Sequence, residues 1–385
     1  MFRLRSKLVV SLASVAASLG LVEVGLRIAG YDPFGEMMRS GRQEPGELLA
    51  KDFLLESPHD VLVYELVPGG RAFAWGAEVE INSHGFRDRE YELVAPEGVG
   101  RIVAIGDSAT FGVKLSPDVL WPERLEVEFE GAVEVLNLGI VGYDALESVS
   151  FLEHRGLAFS PNVVVYGLHV NDVGYASPTR DYIQRLKSYG SSIYRVRTLQ
   201  FLRASIDRIE IGREQERRAS EAYFVEENAR YLGGLADDPE GLALVERFRA
   251  LRDERGALRG RHRYVAWYGS EARIEKLRFA LERLGNLADE HGFEPLVFVV
   301  PWLGDGGYED VYDLAYSIVE REAERAGLGF LNPVKATRVA GHRDLQISDE
   351  DYGHPNSVGH AILARLVRER IDEEGWFGVE ARVED

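Results

Sequence analysis

Short blocks of consecutive apolar residues alternate along the chain with longer stretches in which apolar positions recur every three or four residues. Five of the blocks, at 101–106, 132–138, 162–168, 294–300 and 328–331, are rich in Val, Ile and Phe and are bounded by Gly, Pro or Asn. Apolar runs of that length predict strands buried on both faces, the condition of a parallel sheet. The stretches at 122–130, 146–156, 270–291 and 308–326 carry the helical period. A last amphipathic helix is expected over 357–370, capped by Asn356 or Ser357. Strand and helix in alternation mean βα units and an α/β fold with a five-stranded parallel sheet covered by helices on both faces.

Three regions fall outside this alternation. Residues 1–30 place Arg3, Arg5 and Lys7 before an apolar run from Leu8 to Val22, with Glu23 and Arg27 spaced to pair on one helix face. Fifteen apolar positions make about 22 Å of helix, short of a roughly 30 Å hydrocarbon core, but continuation to Ala29 supplies the length. The expectation is a signal anchor, or a signal peptide if cleaved. Either keeps the basic flank in the cytoplasm and exports the rest, so the protein is expected to be extracytoplasmic, attached to the membrane through its N-terminal helix or secreted. Residues 31–100 contain YELVPGG and AEVEINSHGFRD and predict a β-rich lead-in segment. Residues 178–263 read as a charged helical insertion between the third and fourth strands. The main α/β domain then consists of 101–177 and 264–376, followed by an acidic tail at 377–385.

Charge narrows the function. The 385 residues hold 45 Lys and Arg against 64 Asp and Glu, a formal net charge of -19. Nucleic-acid binding needs a basic face and is set aside. Between Arg180 and Arg263, however, 18 basic residues face 14 acidic ones, so the insertion nets +4 and the remainder -23. Such a stretch is ordinarily a solvated face, the alternative being a cap that steers an anionic substrate. The absence of Cys excludes disulfides, thiolate metal sites and a cysteine nucleophile.

Chemistry concentrates at two places. The first strand runs into Gly106-Asp107-Ser108-Ala109-Thr110-Phe111-Gly112, which sets a serine at the carboxyl end of a parallel strand, where open α/β sheets bind ligands. A helix starting there turns backbone amides toward developing negative charge. Near the other end, Asp351-Tyr352-Gly353-His354 is expected in a loop before the last helix. There the carboxylate can hold one imidazole nitrogen while the other serves as general base. Serine, histidine and an orienting carboxylate form the acyl-transfer triad. Asp349 and Glu350 are outside candidates for the carboxylate, and His360 is expected to pack or cap. No H-E-x-x-H, Walker A or dinucleotide fingerprint is present, and Thr110 breaks the G-x-S-x-G elbow, so neither cofactor nor metal is expected.

Together these blocks resemble the GDSL/SGNH hydrolase superfamily, in a membrane-anchored bacterial form. The resemblance covers about half the chain and implies a serine esterase or acyltransferase on a three-layer α/β/α flavodoxin-like fold. By it, Ser108 is the nucleophile and its own N–H an oxyanion donor. Gly142, in Asn137-Leu138-Gly139-Ile140-Val141-Gly142-Tyr143-Asp144, is a second donor, and Asn171, in His169-Val170-Asn171-Asp172, a third. Asp351 and His354 complete the triad. Asn82-Ser83-His84-Gly85-Phe86-Arg87 resembles the lead-in of single-anchored members more loosely. His169 departs from the pattern, standing where glycine is usual, and is a candidate substrate-binding residue. The resemblance implies an acylated carbohydrate or other small ester as substrate, with a small acyl group such as acetyl. A catalytically silent carbohydrate-binding or scaffolding protein is the alternative. Oligomeric state is not legible.

Overall fold

The computed structural model describes residues 2–30, 54–74, 76–174, 196–218, 220–256, 258 and 262–377. Its centre is a parallel sheet of β5 (Gly100–Gly106), β6 (Val133–Asn137), β7 (Val163–His169), β8 (Glu294–Val300) and β9 (Gly329–Leu331), in the spatial order β6-β5-β7-β8-β9. Each strand falls on an apolar block identified above. Side chains alternate between the two faces of a strand. On β5, Val103 and Ile105 accordingly join one core, with helices Ala145–His154, Glu271–His291 and Glu309–Arg325. Ile102 and Ala104 join the other, with helices Trp121–Glu128 and Ser357–Glu374. The result is the expected three-layer α/β/α sandwich. Its strand order reverses between β5 and β7, which opens a crevice at their carboxyl ends.

The lead-in forms two antiparallel pairs, β1 (Leu54–Glu56) with β2 (Tyr64–Leu66) and β3 (Arg71–Ala74) with β4 (Ala77–Glu80). Neither pair extends the main sheet. Both lie against one side of it, and Leu62, Tyr64, Leu66, Val79 and Phe86 enter the core shared with Val103 and Ile105.

The start of the insertion, through residue 195, lies outside the described residues. Beyond it are helices Arg197–Arg218, Glu221–Asn228 and Pro239–Glu254. The charges here are not all solvated. Asp238, the N-cap of Pro239–Glu254, is 7% exposed and accepts from Arg278 Nη2 at 2.5 Å and Arg321 Nη2 at 2.6 Å, while Arg278 Nε bonds Glu322 Oε2 at 2.6 Å. Burial alone would raise the Asp238 carboxyl, but the bonds from Arg321, Gly241 N–H and Arg278 outweigh it and hold it well below the carboxylate range. This network fastens the insertion to two helices of the main domain.

At the N-terminus, Phe2–Ile28 is one helix of 27 residues. Among the described residues no helix is long and apolar enough to cross a membrane, so the spanning anchor expected from the apolar run is not supported. Glu23 does pair with Arg27 at 2.7 Å. It also accepts from the backbone N–H groups of Arg197 at 3.0 Å and Thr198 at 2.8 Å, and from the Thr198 hydroxyl at 2.9 Å. The carboxylate thereby satisfies orphan donors at the start of helix Arg197–Arg218. These bonds, the Thr198 N–H foremost, hold its pKa at about 2.

Candidate active site

Asp107 follows β5 and caps the short helix Ser108–Phe111 through its Oδ1, which accepts from Ala109 N–H at 2.8 Å. The cap turns the chain sharply, which leaves Ser108 at the head of the helix, only partly buried. Ser108 Oγ lies 2.9 Å from His354 Nε2 and 3.2 Å from Asp107 Oδ2. His354 Nδ1 lies 2.7 Å from Asp351 Oδ1, which also accepts from His354 N–H at 3.2 Å. The structure thus brings Ser108, His354 and Asp351 into one relay. The carboxylate on His354 Nδ1 is that of Asp351 rather than Asp349 or Glu350. His360 is buried, its Nδ1 accepting from Trp121 N–H at 3.1 Å, so it braces the first turn of helix Trp121–Glu128.

The Asp-x-x-His block differs from expectation in one respect. It is a strand, β11 (Asp351–Pro355), paired antiparallel with β10 (Gln346–Ser348), and not an irregular loop. The ladder is irregular, its register shifting between Gln346 and Ser348, so the block does not alternate strictly and Asp351 and His354, three apart, meet; the Asn356 side chain then caps helix Ser357–Glu374 by accepting from Val358 and Gly359 N–H. A hairpin arm followed at once by a capped helix leaves the imidazole little freedom.

Asp351 has a partner that the sequence did not suggest. Lys114, in left-handed conformation with φ +65°, places Nζ 2.5 Å from Asp351 Oδ2. Burial alone would raise the Asp351 carboxyl, but its bonds to His354 and then Lys114 overcome this and hold it well below the usual carboxylate range. It is an ion at any physiological pH, fit to hold an imidazolium.

The loops bearing the remaining candidates converge on the same turn. Ile140 N–H donates to Gly106 O at 3.0 Å, which sets the loop after β6 beside the turn that carries Ser108. This approach requires Gly139, since a Cβ there would lie 2.4 Å from Phe111 N and 2.7 Å from Thr110 C. Gly139, outside the expected set, is what lets the loop that carries Gly142 (φ +83°) lie against the Thr110–Phe111 backbone. Asn171 follows β7 in a turn bonded from Asp172 N–H to His169 O at 2.9 Å. Its Oδ1 bonds His169 Nδ1. His169, expected as a substrate-facing residue, is 4% exposed and lies against Asn171 and Gly353.

The lead-in holds this assembly from outside. Arg87, 1% exposed, donates from Nη1 to Phe111 O at 3.0 Å and Gly112 O at 2.5 Å, and from Nη2 to Leu115 O at 2.6 Å and Glu78 O at 3.2 Å. Tyr64 OH donates to Val141 O, and Tyr143 OH to Tyr64 O. One side chain from the lead-in thus clamps the turn after Ser108, and another clamps the loop bearing Gly142. The loose resemblance of residues 82–87 was the available signal for Arg87, and the sequence held none for Tyr64 or Lys114.

No family model matches the chain, and no curated protein matches it. Among solved structures it is similar to a lipase/acylhydrolase from Enterococcus faecalis, with 14% identity over 72% of this chain and 97% of that one, at a TM-score of 0.38. An acetyl-xylooligosaccharide esterase mutant from Geobacillus stearmophilus is similar at 13% identity, with 75% and 100% covered and a TM-score of 0.40. An acetyl xylan esterase is similar at 12% identity, with 70% and 99% covered and a TM-score of 0.37. The chemistry of the site is read from its own geometry.

Proposed function

We propose that the protein is a serine ester hydrolase of the GDSL/SGNH type that works through an acyl-serine intermediate. The observation that carries this reading is the relay from Ser108 Oγ to His354 Nε2 at 2.9 Å and from His354 Nδ1 to Asp351 Oδ1 at 2.7 Å. These are the distances at which a histidine takes a serine proton while a carboxylate holds its tautomer.

In the proposed reaction Ser108 Oγ bonds to the ester carbonyl carbon as its proton passes to His354 Nε2. The carbonyl π electrons move onto oxygen, and the oxyanion is held by the N–H groups of Ser108 and Gly142 and the Asn171 amide. Collapse expels the alcohol, which takes the proton from His354, and leaves the acyl group on Ser108. Water, deprotonated by the same imidazole, repeats the sequence and releases the acid. A sugar hydroxyl in place of water makes the reaction an O-acyl transfer. The acyl group we propose is small, acetyl, carried on an extracytoplasmic carbohydrate. The motif resemblance and the basic-then-apolar N-terminus support that part.

Labelling the purified full-length chain with a fluorophosphonate and mapping the adduct by peptide mass spectrometry tests the nucleophile without a known substrate. Ser108 is expected to carry the label and to lose it in His354→Ala. A folded wild-type protein that takes no label refutes the reading.

A further inference from the structure

His169 touches three of the four blocks that form the site. Its Nδ1 bonds Asn171 Oδ1 and lies 3.7 Å from Asp107 Oδ2, the residue before the nucleophile. Its other edge meets the arm that carries the acid and base. A Cβ on Gly353, between Asp351 and His354, would stand 3.3 Å from His169 Cε1 and 3.4 Å from Nε2. Trp302 packs on the ring, centroids 5.6 Å apart. The ring is buried, which disfavours its charged form although Asp107 and Asn171 pull the other way.

A neutral imidazole carries one proton, and its position decides what Asn171 can do. With the proton on Nδ1, the ring donates to Asn171 Oδ1 and leaves the Asn171 NH2 group available to an oxyanion. Nε2, which has no hydrogen-bond partner among the described residues, is then a bare lone pair. With the proton on Nε2, a buried N–H is orphaned and its lost hydration goes uncompensated. Asn171 would then have to turn its NH2 toward Nδ1, which removes it from the oxyanion. Asp107 Oδ2 on the Nδ1 side, and the lack of a hydrogen-bond partner for Nε2 among the described residues, select the first arrangement.

We propose that His169 is a positioning residue whose Nδ1–H fixes the Asn171 amide with its NH2 group toward the oxyanion. The inference rests on the serine-esterase reading and predicts that the chain's departure from glycine at this position serves turnover rather than substrate affinity.

The test uses the full-length chain and p-nitrophenyl acetate. His169→Phe keeps a ring against Gly353 and Trp302 but has no donor. Its kcat is expected to fall about 10- to 100-fold, with KM changed less than about threefold. His169→Asn, with an amide nitrogen near the Nδ1 position, should recover most of kcat despite its smaller volume. In an Asn171→Ala background, His169→Phe should cost nothing further, because the group it positions is gone. A ranking with Phe above Asn, a loss confined to KM, or an additive double variant overturns the proposal. The tautomer is readable in the wild-type protein by 15N NMR of labelled histidine. A proton on Nδ1 of His169 supports the proposal, and a proton on Nε2 overturns it whether or not the variants fold. Turnover abolished in Ser108→Ala is the separate control. Its failure refutes the esterase reading, while the tautomer still judges the hydrogen bond.

Discussion

Arg87 offers a direct test of whether the lead-in belongs to the catalytic unit. Its guanidinium is buried and delivers four hydrogen bonds, at 3.0, 2.5, 3.2 and 2.6 Å, to carbonyls of Phe111, Gly112, Glu78 and Leu115. The side chain also lies over the Phe111 ring at 5.0 Å. Burial lowers its pKa to about 10, against the pull of Glu123, so it is still charged near neutrality. In Arg87→Met the stem is replaced but four carbonyls lose a cationic donor. Each such bond alone is worth about 1.5–3 kcal/mol, but four on one guanidinium are not additive. Leaving four backbone carbonyls without their donor costs about 3–5 kcal/mol in all. For a domain of this size that corresponds to a fall in Tm of roughly 10 °C. The loss falls on the turn that aims Ser108, so kcat should drop as well, by about tenfold or more. Arg87→Lys should land close to Met, since an ammonium cannot span four acceptors. Thermal unfolding followed by circular dichroism, with p-nitrophenyl acetate turnover below the transition, measures both. A variant within about 2 °C of wild type and with unchanged kcat would refute the clamp and return the lead-in to the status of an appendage.

Other predictions concern the site and its surroundings. Asn171→Ala should slow turnover about 100- to 1000-fold with Tm nearly unchanged, and wild-type turnover would remove Asn171 from the oxyanion assignment. Asp351→Asn should cost about 10,000-fold in kcat, whereas Lys114→Met, which removes a partly exposed ammonium, should cost less than about tenfold. Equal losses would mean that Lys114 is as necessary as the carboxylate. His360 bears on acid stability. Burial first, then His354 and Arg124, depress its pKa to about 3, so the unfolded chain takes up the proton before the folded one. Stability from this residue is complete above about pH 6.5 and is lost as pH falls toward about 3, at no more than about 1.4 kcal/mol per unit. His360→Asn, which keeps an acceptor for Trp121 N–H, should flatten that slope in denaturation curves taken between pH 4 and 7, and an unchanged slope would contradict the assignment.

The inner strands β5, β7 and β8 were legible because burial on both faces leaves a nearly unbroken apolar run, and helices such as Glu271–His291 and Glu309–Arg325 because their burial repeats every three or four residues. Ser108, Asp351 and His354 were legible as candidates because each lies in a short block at the end of a regular element, where local spacing fixes local geometry. What the sequence could not show is which distant residues meet. Arg87 reaches carbonyls 24 to 28 positions away, Lys114 reaches Asp351 across 237 and Glu23 reaches Thr198 across 175. Periodicity records whether a position is buried, and nothing in it names the partner. The tertiary structure therefore decided that the lead-in grips the turn after Ser108. It also decided that the N-terminal helix caps the insertion and that His169 faces Asn171, because each of these depends on packing that brings separate chain segments within hydrogen-bond distance.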